Sequence, residues 1–539
     1  MRKRLRKVIT CVIAATMVFS LAGCGSSKTE GNSDSNGVAA ENKQNKVLKY
    51  GGNLEPVGNL DTHLTNYRNV LEISAHIQES LLRLNSDTLV VEPALLKSMP
   101  KVSDDGKTYH CQLKEGIKFH DGSELTTEDV EFTFNKIFDP TTKNINASVA
   151  DMIVGAKDML DGNAKELSGL KILDKYSFDI EIEEVNSSFN KVLANSSLCI
   201  YPKKAYEEAG SEWGTTKFVG AGPYKLKEFN AKSKVVLEKF DDYFDGKKKL
   251  AGIEFLNMDE STSLLEFEKG NIDIVGLKSD KVDEYSGNEK FKDNVRSTQT
   301  LGIVTFGLNK DMAPLDNVKV REAVNLAIDR ESLVNDFLRG HAVIPNGFIP
   351  AGMEGYDKSA AKLEYNTEKA KKLLEEAGYP NGIELNAVIS EAVTLVPVVE
   401  VVQQQLLKAN ITLNINRIDH ASYVDMRSAG KVQIPLLIWS SGDPDAYFRL
   451  VYGDDSQTYS TNYFNKEFDG MYEEARKTLD DAKRYKIYTE MGNKVQNEDF
   501  IVAPLYYPES YYLVSDRVSG EHLMKNSYFR FYDAEIKEK

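Results

Sequence analysis

Cysteine and tryptophan are scarce in this chain, at four and two in 539 residues. The cysteines are Cys11, Cys24, Cys111 and Cys199, and no two form a C-x-x-C pair. That excludes a zinc ribbon or a thioredoxin-type motif, and four over this length exclude a disulfide-dense scaffold. The seven histidines show neither H-x-H nor H-x-x-x-H spacing, so no metalloprotease helix is encoded. Positive charge is in deficit: 67 Lys and Arg face 82 Asp and Glu, for a net −15. A general nucleic-acid binder needs a basic footprint, so no nucleic-acid partner is expected. No G-x-S-x-G elbow and no G-x-x-x-x-G-K-[ST] loop is present. No catalytic residue, no metal site and no cofactor is therefore assigned, and the chain is not read as an enzyme.

What is present fits a soluble globular protein, with 28% charged and 41% apolar residues. The length suggests about three to four domains. The first residues read as an address. Arg2, Lys3, Arg4, Arg6 and Lys7 precede the mostly apolar run Val8–Ala22. That run is shorter than the ~20 residues of a transmembrane helix, and basic start, short apolar run and small residues make a secretory signal. It ends Leu21-Ala22-Gly23-Cys24, which resembles the lipobox of bacterial lipoproteins. The resemblance implies a signal peptide over 1–23, cleavage before Cys24 and lipid on its sulfur. Two or three acyl chains would anchor the protein stably to a membrane. Residues 25–46 carry no aromatic, Leu or Ile, so 24–46 is expected to be a lipidated, flexible tether. Cleavage would leave a net charge of about −20. Outside the cell Cys111 and Cys199 could be joined or remain two separate buried thiols.

From Val47 onward strand and helix signals alternate, with no repeat and no long linker. Thr126 followed by Val130, Phe134, Ile137 and Phe138 predicts a helix capped by Thr126 and Asp129 and ended at Asp139-Pro140. Residues 318–339 predict one helix with Gly340 as its stop. Residues 366–441 read β-α-β-α-β. A helix capped by Thr367 comes first. Strands at Ile383–Ile389, Ile411–Ile415 and Ile434–Trp439 then alternate with helices at 397–408 and 421–429. Strands joined by crossover helices run parallel, and ligands bind beyond their carboxyl ends. The loop 440–445, Ser-Ser-Gly-Asp-Pro-Asp, is thus the site candidate that pattern alone supplies.

Other motifs read more plainly. Ser98-Met99-Pro100-Lys101 matches S-x-x-K but has no K-T-G partner and reads as a polar turn. His120-Asp121-Gly122 reads as a hairpin tip. Asp443 and Asp445 are too close in sequence to be diagnostic of a glycosidase pair. The tract 506–512, with Tyr506, Tyr507, Tyr511 and Tyr512, favours sheet packing over ligand contact.

Several spaced stretches share one resemblance. They are Asn59-Leu60-Asp61-Thr62-His63-Leu64-Thr65-Asn66, Asp104 through Val130 with Leu113-Lys114-Glu115-Gly116-Ile117-Lys118-Phe119-His120-Asp121-Gly122 at its centre, Gly220-Ala221-Gly222-Pro223-Tyr224, Gly270-Asn271-Ile272-Asp273, Val320-Arg321-Glu322-Ala323 through Ile328-Asp329-Arg330, and Glu376-Ala377-Gly378-Tyr379. From about Leu54 to Tyr512 the chain resembles the family 5 extracytoplasmic solute-binding proteins of ABC importers, the oligopeptide, dipeptide and nickel cluster.

That resemblance implies an α/β fold of the two-lobed periplasmic-binding-protein type, class II and cluster C, with an extra domain in the first lobe and a hinge between lobes. Lobe I would comprise 47–70, 200–302 and 505–539, with the extra domain at 71–199; lobe II would be 303–504. The implied function is capture of peptides outside the cell and delivery to a permease and its ATPase subunits by hinge closure. The protein would be a monomer held on the extracytoplasmic face of the cell membrane, in the periplasm or at the cell surface. In peptide-binding members a Trp ends a strand, and an Asp in the next loop pairs with the peptide ammonium. Here that match is Trp439 followed by Gly442, Asp443 and Asp445, although the loop is shorter than in dipeptide-type members. Arg417 and Arg449 are the cation candidates for an anionic ligand end. Asn66, Asn309 and Tyr447 are further lining candidates. Oligosaccharides, opine-like compounds and nickel chelates are the alternative ligands, nickel being disfavoured by unpaired histidines. A secreted hydrolase and a surface receptor or adhesin are the alternatives of other classes.

Overall fold

The computed structural model describes residues 46–537, apart from 55, 56, 66, 86, 87, 361 and 526. The signal, Cys24, the tether up to residue 45 and Asn66 lie outside the described residues.

Helix Thr127–Phe138 forms as its sequence predicts. The Thr126 side chain accepts from the Glu128 N–H, while Asp129 accepts from the Thr126 N–H at 3.0 Å. Val130, Phe134, Ile137 and Phe138 fill one core with Phe119, Phe178 and Phe189. The hairpin tip also stands: His120 is held between the Gly220 N–H and the Gly222 carbonyl. Its burial there lowers its pKa to about 4.

The β-α-β-α-β stretch is observed as strands Ile383–Ser390, Ile411–Ile418 and Ile434–Ser440 with helices Val396–Leu407 and His420–Ser428 between them. Ile383–Ser390 is central and parallel to both neighbours. The preceding helix is capped by Asn366 rather than Thr367; its side chain accepts from the Lys369 N–H at 2.9 Å.

The long helix expected over 318–339 is two pieces. Val318–Leu326 ends, and Arg330–Ser332 opens a second, capped by Asp329 and continued as a π-turn over Leu333–Phe337. The cause is Arg330, a buried guanidinium satisfied by the carbonyls of Pro504, Asn325 and Ile328. An unbroken helix would claim two of those acceptors for itself.

All three parallel strands belong to one twelve-stranded sheet. Its path runs from Ile411–Ile418 through Ile383–Ser390, Ile434–Ser440 and Gly302–Gly307 to Val502–Val514. It continues through Ile274–Leu277, Val47–Gly52, Gly252–Asn257 and Lys234–Lys239 to Tyr224–Asn230. The thirteen-residue strand Val502–Val514 is shared between two regions. Its first half pairs with Gly302–Gly307 and its second with Ile274–Leu277 and Val295–Gln299. Between the halves sits Pro508, whose carbonyl accepts from the Thr300 N–H and hydroxyl. The chain thus crosses between regions twice side by side, near Thr300 and near Pro508.

Separate cores lie on either side of these crossings. Leu48, Ile253, Tyr224 and Val514 pack in one, beside the Phe134 core. Val304, Leu385, Val402 and Leu413 pack in another, next to one around Tyr447, Phe448 and Tyr488. The tyrosine tract follows its packing expectation: Tyr506, Tyr507 and Tyr512 are buried. Cys111 and Cys199 are both free and buried. They sit in different cores, and Cys199 Sγ lies 3.3 Å from Ser80 Oγ. Burial pushes both thiols up, Cys199 to about 12, so neither is a ready nucleophile. Among the described residues no helix is long and apolar enough to cross a membrane.

Candidate functional site

Two cavities compete for the role of ligand site. The larger, about 700 Å³, lies where Val47–Gly52, Gly252–Asn257 and Ile274–Leu277 end; Arg68, Glu72 and Tyr512 help to line it. Its walls come only from residues 50–73, 255–279 and 509–512. The second, about 430 Å³, is walled by Leu84 and residues 148–195 on one side and residues 441–476 on the other. Those walls belong to different cores. A ligand shifts a conformational equilibrium only through differential affinity for its states. The walls of the second cavity lie on opposite sides of the crossings near Thr300 and Pro508, so it is the better candidate for a site whose occupancy is coupled to movement of the two regions.

One of its walls begins where the third parallel strand ends. Ile434, Pro435, Leu436 and Leu437 are buried, and the strand ends at Ser440. Asp443 then caps the short helix Pro444–Phe448, its Oδ1 accepting from the Asp445 N–H at 3.2 Å. Pro444 takes the first helical position, where no N–H is needed. The helix turns Asp445 inward. Its carboxylate accepts from the Tyr488 hydroxyl and lies 3.9 Å from Arg476. Burial first, and the neighbouring Asp443 charge second, hold the Asp445 carboxyl well above the usual carboxylate range. Arg449 pairs with Asp455 at 2.9 Å on the same wall.

From the opposite side comes Lys191, on the one-and-a-half-turn helix Phe189–Leu193. Its Nζ lies 2.6 Å from Glu354 and 3.8 Å from Asp443. Burial would lower the pKa of this ammonium, but Asp443 and Glu354 outweigh it and hold it above the ordinary lysine range. Nearby, the Ser187 N–H donates to the Arg476 carbonyl at 2.7 Å and Lys477 pairs with Glu184 at 2.8 Å. Contacts thus run between the two regions that wall the cavity. Among the described residues that line it none forms a nucleophile–base pair; it can hold a solute.

The sequence model of the bacterial extracellular solute-binding proteins, family 5, matches residues 90–483. The chain belongs to this family. Its work as a solute-binding protein is binding, without chemical turnover. Among relatives, it is 26% identical to the oligopeptide-binding protein AppA of Bacillus subtilis, over 96% of each chain. It is 24% identical to the heme-binding protein A of Haemophilus influenzae, over 99% of each. A solved periplasmic oligopeptide-binding protein from Borrelia burgdorferi superposes with a TM-score of 0.72 at 26% identity, covering 88% of this chain and 96% of that one. The fold is accordingly that of the two-lobed family 5 binding proteins.

The structure of this solute-binding protein sorts the residues singled out from sequence. Gly442, Asp443, Asp445 and Arg449 line the second cavity together. Trp439 does not: it packs edge-on against Tyr459 at 5.6 Å, and its indole N–H finds no acceptor among the described residues. Tyr447 is fully buried, its hydroxyl bonded to the Leu301 carbonyl, so it serves the core. Asn309 is also fully buried and donates to the Gly430 and Val432 carbonyls, both at 3.0 Å; it fastens a loop. Arg417 is exposed on the edge strand Ile411–Ile418 and lines neither cavity. His341, His420 and His522 stand apart, beside Asp283, Ser390 and Asp533 respectively.

Sequence reasoning missed Lys191, Glu354, Arg476 and Tyr488. Lys191 sits in a helix too short to show periodicity, and its partners are 163 residues and more away. Arg476 and Tyr488 lie on the long helices Lys466–Lys477 and Asp481–Asn493. The amphipathic pattern of the first gives a helix but not which polar residue meets Asp445.

Proposed function

We propose that this solute-binding protein captures peptides outside the cytoplasmic membrane and presents them to the permease of an ABC importer, whose ATPase subunits drive uptake. The observation that carries it is the cavity around Asp443, at the carboxyl end of a parallel strand and walled by two separately cored regions. A peptide filling it would favour the closed arrangement, which the permease reads. Relatives named for oligopeptide and dipeptide binding support the peptide class. Lobe I then comprises 47–70, 200–302 and 505–539, the extra domain 71–199 and lobe II 303–504. The paired crossings near Thr300 and Pro508 act as the hinge. The protein works as a monomer, tied to the membrane by lipid on Cys24.

The test is a thermal-shift series with peptides of two to eight residues, oligosaccharides and nickel chelates. A ligand at a hundred times its Kd stabilises the folded state by about 2.7 kcal/mol, so a peptide hit should raise Tm measurably. A rise with sugars or chelates and none with peptides would overturn the peptide class.

A further inference from the structure

We infer that a third cavity, lying wholly within residues 346–498, is a second binding site and takes an uncharged ligand with neighbouring hydroxyls, as a sugar unit has. The inference goes beyond the peptide reading and does not rest on it.

The cavity holds about 380 Å³ between the loop 346–360, the helices Lys466–Lys477 and Asp481–Asn493, and a π-turn over Lys494–Glu498. In that turn the Asp499 N–H reaches back to the Lys494 carbonyl at 2.8 Å. Such widened turns recur at functional sites. Gln496, in the middle of the turn, lines the cavity and is 2% exposed. Neither its Oε1 nor its Nε2 has a hydrogen-bond partner among the described residues. A buried amide left unpaired costs free energy, so this one calls for a partner. Its neighbours are engaged. Asn346 donates to the Asp357 carbonyl at 2.9 Å, and Asn493 to Glu498 at 2.8 Å. The Tyr507 hydroxyl donates to the Gly347 and Ile349 carbonyls at 2.7 and 3.0 Å.

Beside Gln496 there is a gap. A Cβ on Gly347 would lie 4.0 Å from Gln496 Oε1, from Tyr507 Oη and from the Ile349 nitrogen, with nothing nearer. Ile349 is 4% exposed, and its N–H also donates to nothing among the described residues. An unpaired acceptor and an unpaired donor thus flank one small space, and a further donor, Nε2, sits on the same amide. These groups select the ligand's chemistry. An ammonium only donates, so it would leave both donors unpaired. A carboxylate only accepts, and it would enter a lining that carries Asp357, Glu467, Glu490 and Glu498 against the single ammonium of Lys494. A hydroxyl does both. It can accept from the Ile349 N–H and donate to Gln496 Oε1, while a second hydroxyl on the adjoining carbon accepts from Nε2. Neighbouring hydroxyls of this kind are what a sugar ring offers. The cavity falls within the size range of ligand pockets, roughly 300–1,000 Å³. All its walls lie on one side of the crossings near Thr300 and Pro508, so filling it requires no closure.

The test is saturation-transfer NMR on the whole chain with glucose, N-acetylglucosamine and maltose as probes. At least one of them should bind saturably. Gln496→Leu removes both hydrogen-bonding atoms, and Gly347→Ala puts a methyl group into the gap. Each should weaken that binding about tenfold, the worth of one or two neutral hydrogen bonds. Gly347→Ala brings no contact closer than 4.0 Å, so its Tm should match the wild type, which guards against a loss through unfolding. A peptide in the Asp443 cavity should not displace the sugar. Absence of saturable binding by all three sugars would mean that the gap holds water only, and would overturn the inference. Sugar binding that both variants leave intact, or that a peptide displaces, would overturn it too, because the sugar would then sit elsewhere.

Discussion

Asp443 caps the helix Pro444–Phe448 and also faces the cavity, and substitution can part these roles. Asparagine caps as well as aspartate, whereas alanine costs about 1 kcal/mol at such a position. Asp443→Asn is expected to weaken peptide binding about tenfold, since hydrogen bonds to a charged group contribute about 1.5–3 kcal/mol, at unchanged Tm. Asp443→Ala should lower both affinity and Tm. Unaltered affinity in Asp443→Asn, read by titration calorimetry, would remove Asp443 from the site. Glu72 offers a pH-dependent test in the other cavity. Burial pushes its carboxyl up to about 7 despite the opposing charge of Arg68. Between its ordinary 4.5 and about 7 the folded protein keeps this proton while the unfolded chain releases it. The unfolded state then binds fewer protons, so this group's contribution is present below pH 4.5 and lost as pH rises through 7. Glu72→Gln removes the titration and can still accept from the Phe529 N–H, which Glu72 does at 2.8 Å. The variant should lose less stability than wild type between pH 5 and 8, by on the order of 2 kcal/mol. Superimposable Tm–pH curves would contradict the assignment.

At the scale of elements, legibility followed locality. The helix Thr127–Phe138 and the strands Ile383–Ser390, Ile411–Ile418 and Ile434–Ser440 were readable because caps and periodicity lie within a dozen residues. The break at 327–329 was not, because its cause is the distant Pro504 carbonyl that Arg330 reaches. The same holds for the site. Gly442, Asp443 and Asp445 follow from where a parallel strand ends. Lys191 and Glu354 depend on how two regions meet, and no local pattern encodes that. Trp439 and Tyr447 are expected at the site on the family resemblance, yet both turn toward aromatic packing. The crossings make an element-scale prediction. A Cβ on Gly302 would stand 2.8 Å from Thr300 Oγ1 and 2.9 Å from Pro508 Cγ. Gly302→Val should therefore cost about 1–3 kcal/mol through overpacking, seen as a lowered Tm by calorimetry. An unchanged Tm would show that the crossing yields more easily than these distances allow.

Across the whole molecule, one strand closes everything. Val502–Val514 pairs with Gly302–Gly307 on one side of the crossings and with Ile274–Leu277 and Val295–Gln299 on the other. It contributes Leu505 to one core and Val514 to another. A chain is made beginning at its amino end. Until residue 514 or so has emerged, both large halves lack the strand that completes them, and the sheet edges it will cover stand open. Contacts that must wait for distant sequence form slowly, and open edges invite aggregation. The order of the sequence thus holds both halves short of their final form until this strand has been made.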